Sequence, residues 1–207
     1  MDLRLLSDPL TKEEKLEVVT VAEVKRDLRI SDDDEDGVIA DDIEAAYDYL
    51  AGPDGWLGGC SLLQEEWELY LPAALGETFE LPMRPLLGAA LTGFAYLAAD
   101  GYEDVSADRY FVRPAYGEFA TVGYLRGRVW PYVAPGTAQA YRIRFTAGFG
   151  TTRDSIPSPI RKGIRLLAGH YYNNREATSD DGKAPGQEIA FGLKALCGRY
   201  RIGPDHS

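Results

Sequence analysis

The sequence predicts an α+β fold: a small bundle of terminal helices with an antiparallel β subdomain inserted between them. Three observations predict it. Near both ends, apolar residues recur at offsets 0, 4, 7, 8 and 11, one face of an amphipathic helix. In the middle, apolar and polar residues alternate with period two, the mark of strands with one buried face. Between the alternating stretches lie Gly- and Pro-containing turns. Together they predict one domain over residues 1–207, with a helical core from about 18–55 and 156–202 and a β insertion over about 61–150.

The first helix starts at Thr20. Thr20 and Glu23 have the spacing of a capping box, in which the hydroxyl and the carboxylate each take up a backbone amide of the first turn. Val21, Val24 and Leu28 then form a short apolar face. The acidic run Asp32 to Asp36 follows, placed where the positive end of a helix dipole favours negative charge. Ile39, Ile43, Ala46, Tyr47 and Leu50 form the next stripe, and Gly52-Pro53 ends it.

Strands are expected where Trp67, Leu69 and Leu71 alternate with Glu66, Glu68 and Tyr70, around Phe79 and Leu81, and where Tyr141, Ile143 and Phe145 alternate with Arg142 and Arg144. Asp100-Gly101, Tyr116-Gly117 and Ala134-Pro135-Gly136 read as turns, and residues 98–132 as a projecting loop. Within it, Arg126, Arg128, Trp130 and Tyr132 fit a strand with arginines outward and Val129 inward, or a basic and aromatic patch of the kind that binds single-stranded nucleic acid. The strand is the preferred reading. Ser158 as N-cap with Pro159 at the first helical position starts the long helix, whose stripe is Ile160, Ile164, Leu167, Ala168 and Tyr171. After the polar loop Asp180 to Gly186, Ile189, Leu193, Leu196, Cys197 and Tyr200 repeat the pattern. Helices with one stripe each must bury it, so the terminal helices are expected to pack together.

Composition narrows the function classes. At 45% hydrophobic and 11% aromatic residues the chain has the material for a packed core. No run of 18 apolar residues is present, and Met1 to Leu10 lack the apolar centre of a secretion signal. Cys60 and Cys197 give neither a metal-ligand spacing nor a disulfide framework, and suit a reducing cytoplasm. The net charge of −11 is segregated: 17 acids against 6 bases in residues 1–60, 10 against 5 in 61–140, and 6 against 11 in 141–207. That polarity argues against whole-surface nucleic-acid binding. It leaves two readings, an acidic part that meets the basic part of a neighbour, or two solvated faces.

Motifs for chemistry are sparse. Asp32-x-Asp34-x-Asp36-Gly37-x-Ile39 matches the first positions of a calcium-binding loop, which suggests a calcium-regulated interaction module as the alternative function. The twelfth position, where a bidentate Glu is needed, is Ile43, so a solvated acidic helix start is preferred and no metal is expected. His206 is next to last. His170 sits beside Tyr171 in a helix, with no second histidine, nucleophile elbow or His-Glu-x-x-His pair, so a hydrolase reading finds little support and no enzyme is expected. None of the 22 glycines builds a phosphate loop or dinucleotide fingerprint, and no cofactor is expected. Arg161, Lys162 and Arg165 form a basic helix surface, able to face DNA or an acidic neighbour.

Four stretches, in order, carry a resemblance. They are Val18 to Ile30 with the acidic run after it, Phe145 to Gly150 (FTAGFG), Ile156 to Glu176 (IPSPIRKGIRLLAGHYYNNRE) and Ala190 to Leu196 (AFGLKAL). The chain resembles the head–tail connector (adaptor) proteins of tailed phages, including those of prophages and gene transfer agents. The end helices carry the match, while the Tyr- and Gly-rich middle, 98–132, and the longer N-terminus depart from it. The resemblance implies a helical core with a β insertion and neither enzymatic activity nor cofactor. It also implies a virion ring, generally of twelve subunits, between the portal protein and a stopper or tail-completion protein, with DNA passing through and no membrane involved. Such a protein is made in the bacterial host cytoplasm and resides at the head–tail junction. The candidate interface residues are Arg161, Lys162, Arg165, Tyr171, Tyr172, Arg199, Tyr200 and Arg201, with Arg199 to Ser207 as the portal-facing tail.

Overall fold

The structure, a computed structural model, describes residues 1–88, 90–114, 118–174 and 187–202, with the backbone alone over 187–191. The chain divides into two compact units, Met1–Pro9 with Gly59–Gly150, and Leu10–Gly58 with Thr151–Ser207. Helix and antiparallel sheet are segregated, as an α+β fold requires.

The first unit is all β. Its larger sheet has the order β1 (Asp2–Leu5), β2 (Glu65–Leu71), β8 (Tyr141–Ala147), β4 (Gly93–Ala98), β5 (Gly101–Asp104). The smaller has the order β3 (Thr78–Glu80), β7 (Thr121–Tyr124), β6 (Tyr110–Arg113). Every pairing is antiparallel, and Trp67 lies opposite Phe145 and Leu69 opposite Ile143. Period two sends Trp67, Leu69, Leu71, Ile143 and Phe145 to one face, where they are buried. Phe94 on β4 sits among Phe79 (6.2 Å), Tyr110 (5.2 Å), Trp130 (5.4 Å) and Tyr141 (6.3 Å). Its burial is worth about 2–3 kcal/mol, and edge-on ring pairs add about 0.5–1.5 kcal/mol each.

Three expectations for this unit are corrected. The outer face of β2 is not open to water: Glu68 is 5% exposed and Tyr70 9%. Glu68 takes hydrogen bonds from Tyr70 (2.7 Å) and from Arg144 (2.6 Å), while Arg4 lies over the Tyr70 ring and Arg142 over Tyr102. A polar strand face is thus covered by its own long cationic side chains. Residues 98–132 are not a projecting loop, because β5, β6 and β7 fall within them; the Tyr116-Gly117 turn lies outside the described residues. Arg126 to Tyr132 is not a strand. Gly127 at φ +80 closes a turn, with the Arg128 amide bonded to the Leu125 carbonyl at 2.9 Å. The chain then faces the other way: Trp130 packs inward and donates to the Gly76 carbonyl, leaving Val129 68% and Tyr132 83% exposed.

The N-terminus also supplies structure that local pattern did not announce. β1 pairs with β2, and a second capping box, Thr11 with Glu14, opens a helix ahead of Thr20.

The second unit is helical: α1 (Lys12–Val18), α2 (Val21–Leu28), α3 (Asp36–Leu50), α4 (Ser158–Asn173) and α5 (Gln187–Cys197). The Thr20–Glu23 capping box forms as read, and Arg29 ends α2 in the left-handed conformation at φ 62. On α3, Ile39, Ile43, Ala46, Tyr47 and Leu50 are all buried. α4 begins one residue earlier than expected: Pro157 is the cap, its carbonyl accepting from Ile160, and Pro159 is the second helical residue. α4 is the hub, packed by α3, α5 and α2. Gly163 makes the α5 contact possible, since a Cβ there would stand 2.7 Å from Cys197 Sγ. Gly169 faces Leu28 of α2, where an added Cβ would make ordinary contact at 3.4 Å.

Candidate interface surfaces

The charge segregation of the sequence is partly spent inside the helical unit. Asp27 on α2 accepts from Lys162 at 3.0 Å and from Arg165 Nε at 2.9 Å, both on α4. Burial raises the Asp27 pKa, but the Arg165 and Lys162 hydrogen bonds outweigh it and leave the carboxyl below its ordinary value. Glu23 is held by Arg153 through both guanidinium ends, at 2.8 and 3.2 Å, and by the Thr20 amide and hydroxyl. The Arg153 bonds, against an opposing burial effect, bring its pKa from 4.5 down to about 2. Lys12 and Lys15 of α1 meet Asp41, Glu44 and Asp48 of α3. Acidic and basic segments therefore meet first within one chain, which neither sequence reading foresaw.

The expected interface residues divide. Lys162 keeps 48% of its side chain exposed and Arg165 23% while both bind Asp27, and Arg161 lies 3.7 Å from Asp154. Tyr172 donates to Glu35, so it ties α4 to the acidic run. Tyr171 is half-buried, and burial raises its pKa. The segment from Arg199 is not free: Tyr200 is 5% exposed, with Arg199 over its ring. Arg201 donates to the Trp56 carbonyl and covers its ring, and the Ile202 amide bonds to the Leu57 carbonyl. Residues 203–207, including His206, lie outside the described residues, as do the 180–186 loop and the Ile189 side chain.

The acidic run is similarly engaged. Lys25 reaches Asp33 at 2.5 Å and Asp36 at 2.6 Å, and hydrogen bonding to Asp33 and Asp36 raises its pKa. Asp32 and Asp34 are exposed. Among the described residues no three His, Cys, Asp or Glu side chains converge closely enough to hold a metal ion. His170 has the Asn174 amide and the Tyr171 ring as neighbours, and burial lowers its pKa. Burial raises both thiols, Cys60 and Cys197, to about 11, which suits packing rather than nucleophilic work. Among the described residues no helix is long and apolar enough to cross a membrane.

In the helical unit, the outward faces of α3 and α4 carry exposed side chains. α3 and α4 pack against each other, and α2 and α5 flank α4. On α3, Val38 (38% exposed), Ala45 and Tyr49 (48%) form a second apolar ridge beside exposed Asp41 and Asp48. On α4, Lys162, Leu166 (37% exposed) and Asn173 form the outer stripe. Apolar centres with charged borders are the usual composition of protein interfaces.

No protein-family profile and no curated protein sequence matches the chain. Solved structures do. The chain is similar to one in the neck of an empty GTA particle computed with C6 symmetry, at TM-score 0.72 and 25% identity, covering 99% of this chain and 97% of that one. It is similar to one in the virion of the native gene transfer agent (GTA) particle, at TM-score 0.71, 25% identity and the same coverage. A third likeness, to the neck of the native particle computed with C12 symmetry, has TM-score 0.70 at 24% identity.

Proposed function

We propose that this chain, which has the fold of a gene transfer agent neck protein over nearly its whole length, is a structural virion subunit of a head–tail connector ring. The observation that carries the proposal is that likeness, at TM-score 0.72 over 99% of the chain. It is independent of the four sequence stretches that resemble the adaptor family, and both point to the head–tail junction. The structural neighbours are components of a particle, which supports an architectural role and not catalysis.

The ring has twelve copies, a number compatible with both the C6 and the C12 symmetry of the neighbours' necks. One side of the ring docks on the portal protein and the other on a stopper or tail-completion protein, with DNA passing through the centre. In this reading the helical unit supplies the subunit contacts, because its outer faces are apolar and charged in the manner of an interface. The test is mass by light scattering, for the protein alone and mixed with the portal of its own particle. A ring-sized species in either condition is expected. A monomer in both would overturn the reading.

A further inference from the structure

We infer that neighbouring subunits of that ring meet head to tail through the outer faces of α3 and α4: the acidic and apolar face of α3 in one copy docks on the basic and apolar face of α4 in the next. The inference rests on the ring reading and names the surfaces that close it.

Three observations carry it. The first is geometric. A ring with one copy per step needs two different, mutually complementary patches on each subunit, facing away from each other. The α3–α4 pair offers two such patches, an exposed ridge on α3 and, on α4, an exposed strip between α2 and α5.

The second is chemical. Both faces carry large apolar groups that a lone subunit leaves in water, Val38 and Tyr49 on α3 and Leu166 on α4. Tyr49 is the type of residue that anchors interfaces, amphipathic and with few rotamers to lose.

The third is electrostatic. Asp41 and Asp48 border the α3 ridge with 74% and 56% of their side chains exposed. Their lysines, Lys12 and Lys15, answer them from one side only, and α1 adds the exposed Glu13 and Glu17. On the other face Lys162 and Arg165, two cations, share the single carboxylate of Asp27. One face therefore keeps a surplus of negative charge and the other a surplus of positive charge. Such a match orients the approach of copies and disfavours the two-fold, like-on-like pairing that would end assembly at a dimer.

The test uses the full chain under the conditions that give the ring. Ala45→Cys and Leu166→Cys are placed in one chain, where the two native thiols are buried. Mild oxidation is expected to give a ladder of covalent multimers on a denaturing, non-reducing gel. Separately, Lys162→Glu is expected to raise the concentration needed for assembly by about tenfold, and Asp41→Lys to do the same, while the two together recover most of the loss. Circular dichroism confirms that each variant is folded. A ring that forms normally with Lys162→Glu and yields no ladder overturns the α3-to-α4 contact and leaves the connector reading standing. Absence of any ring, with or without portal, overturns the connector reading and this contact with it.

Discussion

Replacing Glu23 with Gln keeps the size of the side chain and removes its charge. In the native chain that carboxylate accepts a two-point hydrogen bond from Arg153 and closes the capping box at the start of α2. A pKa brought from 4.5 to about 2 corresponds to about 3 kcal/mol of folding free energy. The group is partly exposed, and solvent screening reduces that to about 1.5–2 kcal/mol at neutral pH. The sign follows from the direction of the shift. A carboxyl whose folded pKa is depressed stabilises fully above its unfolded pKa, near 4.5, and loses that effect as pH falls toward about 2. The assay is urea unfolding followed by the helical circular dichroism signal. Glu23→Gln is expected to cost about 1.5–2 kcal/mol at about pH 7 and less than half of that at about pH 3. An Arg153→Ala cycle should return a coupling of about 1–2 kcal/mol. A loss equal at both pH values, or below about 0.5 kcal/mol at neutral pH, would refute the reasoning.

The turn at Gly127 makes a paired prediction: Trp130→Ala should cost about 2–3 kcal/mol, whereas Tyr132→Ser, at a side chain 83% exposed, should stay within about 0.5 kcal/mol in the same denaturation assay. Gly163→Val would push a side chain into Cys197 Sγ and should cost about 2 kcal/mol, lowering the thermal midpoint of the helical signal by about 4–8 °C. Cys60 and Cys197, buried and with pKa values near 11, should resist a thiol-reactive disulfide reagent at about pH 8 until the chain is unfolded, and rapid labelling of folded protein would contradict their placement.

The parts of the fold that could be read in advance are those written in a single helix or strand. The α3 stripe and the Thr20–Glu23 box each lie within a few turns, so spacing alone reveals them. Asp2–Leu5 is too short to carry a period, and its place in the sheet depends on β2, more than sixty residues later in the chain. Period two puts Val129 and Trp130 on the faces opposite to their true ones, because the turn at Gly127 redirects the chain before them. The basic surface of α4 was visible as a row of letters, but its partner Asp27 lies on a helix that only the fold brings near. The outer ridge of α3 went unread for a different reason: Val38, Ala45 and Tyr49 are interrupted by acids, so they do not look like a stripe until the buried face is known.

The division of the chain has a consequence for its synthesis. The β unit is complete once residue 150 has left the ribosome, while the helical unit still lacks α4 and α5. At about 5–20 residues per second, the roughly hundred residues between α3 and α4 take on the order of 5–20 s to make. For that interval α1 to α3 wait with their apolar stripes uncovered, their main protection being the acids on the same helices, which keep nascent copies apart by repulsion. Arrival of α4, carrying the Lys162 and Arg165 that answer Asp27 from the far end of the chain, ends both the exposure and the repulsion together. Truncated chains that stop before residue 158 should accordingly retain a folded β unit and an acidic, unpacked helical half, a species unable to enter a ring and readily cleared by proteolysis.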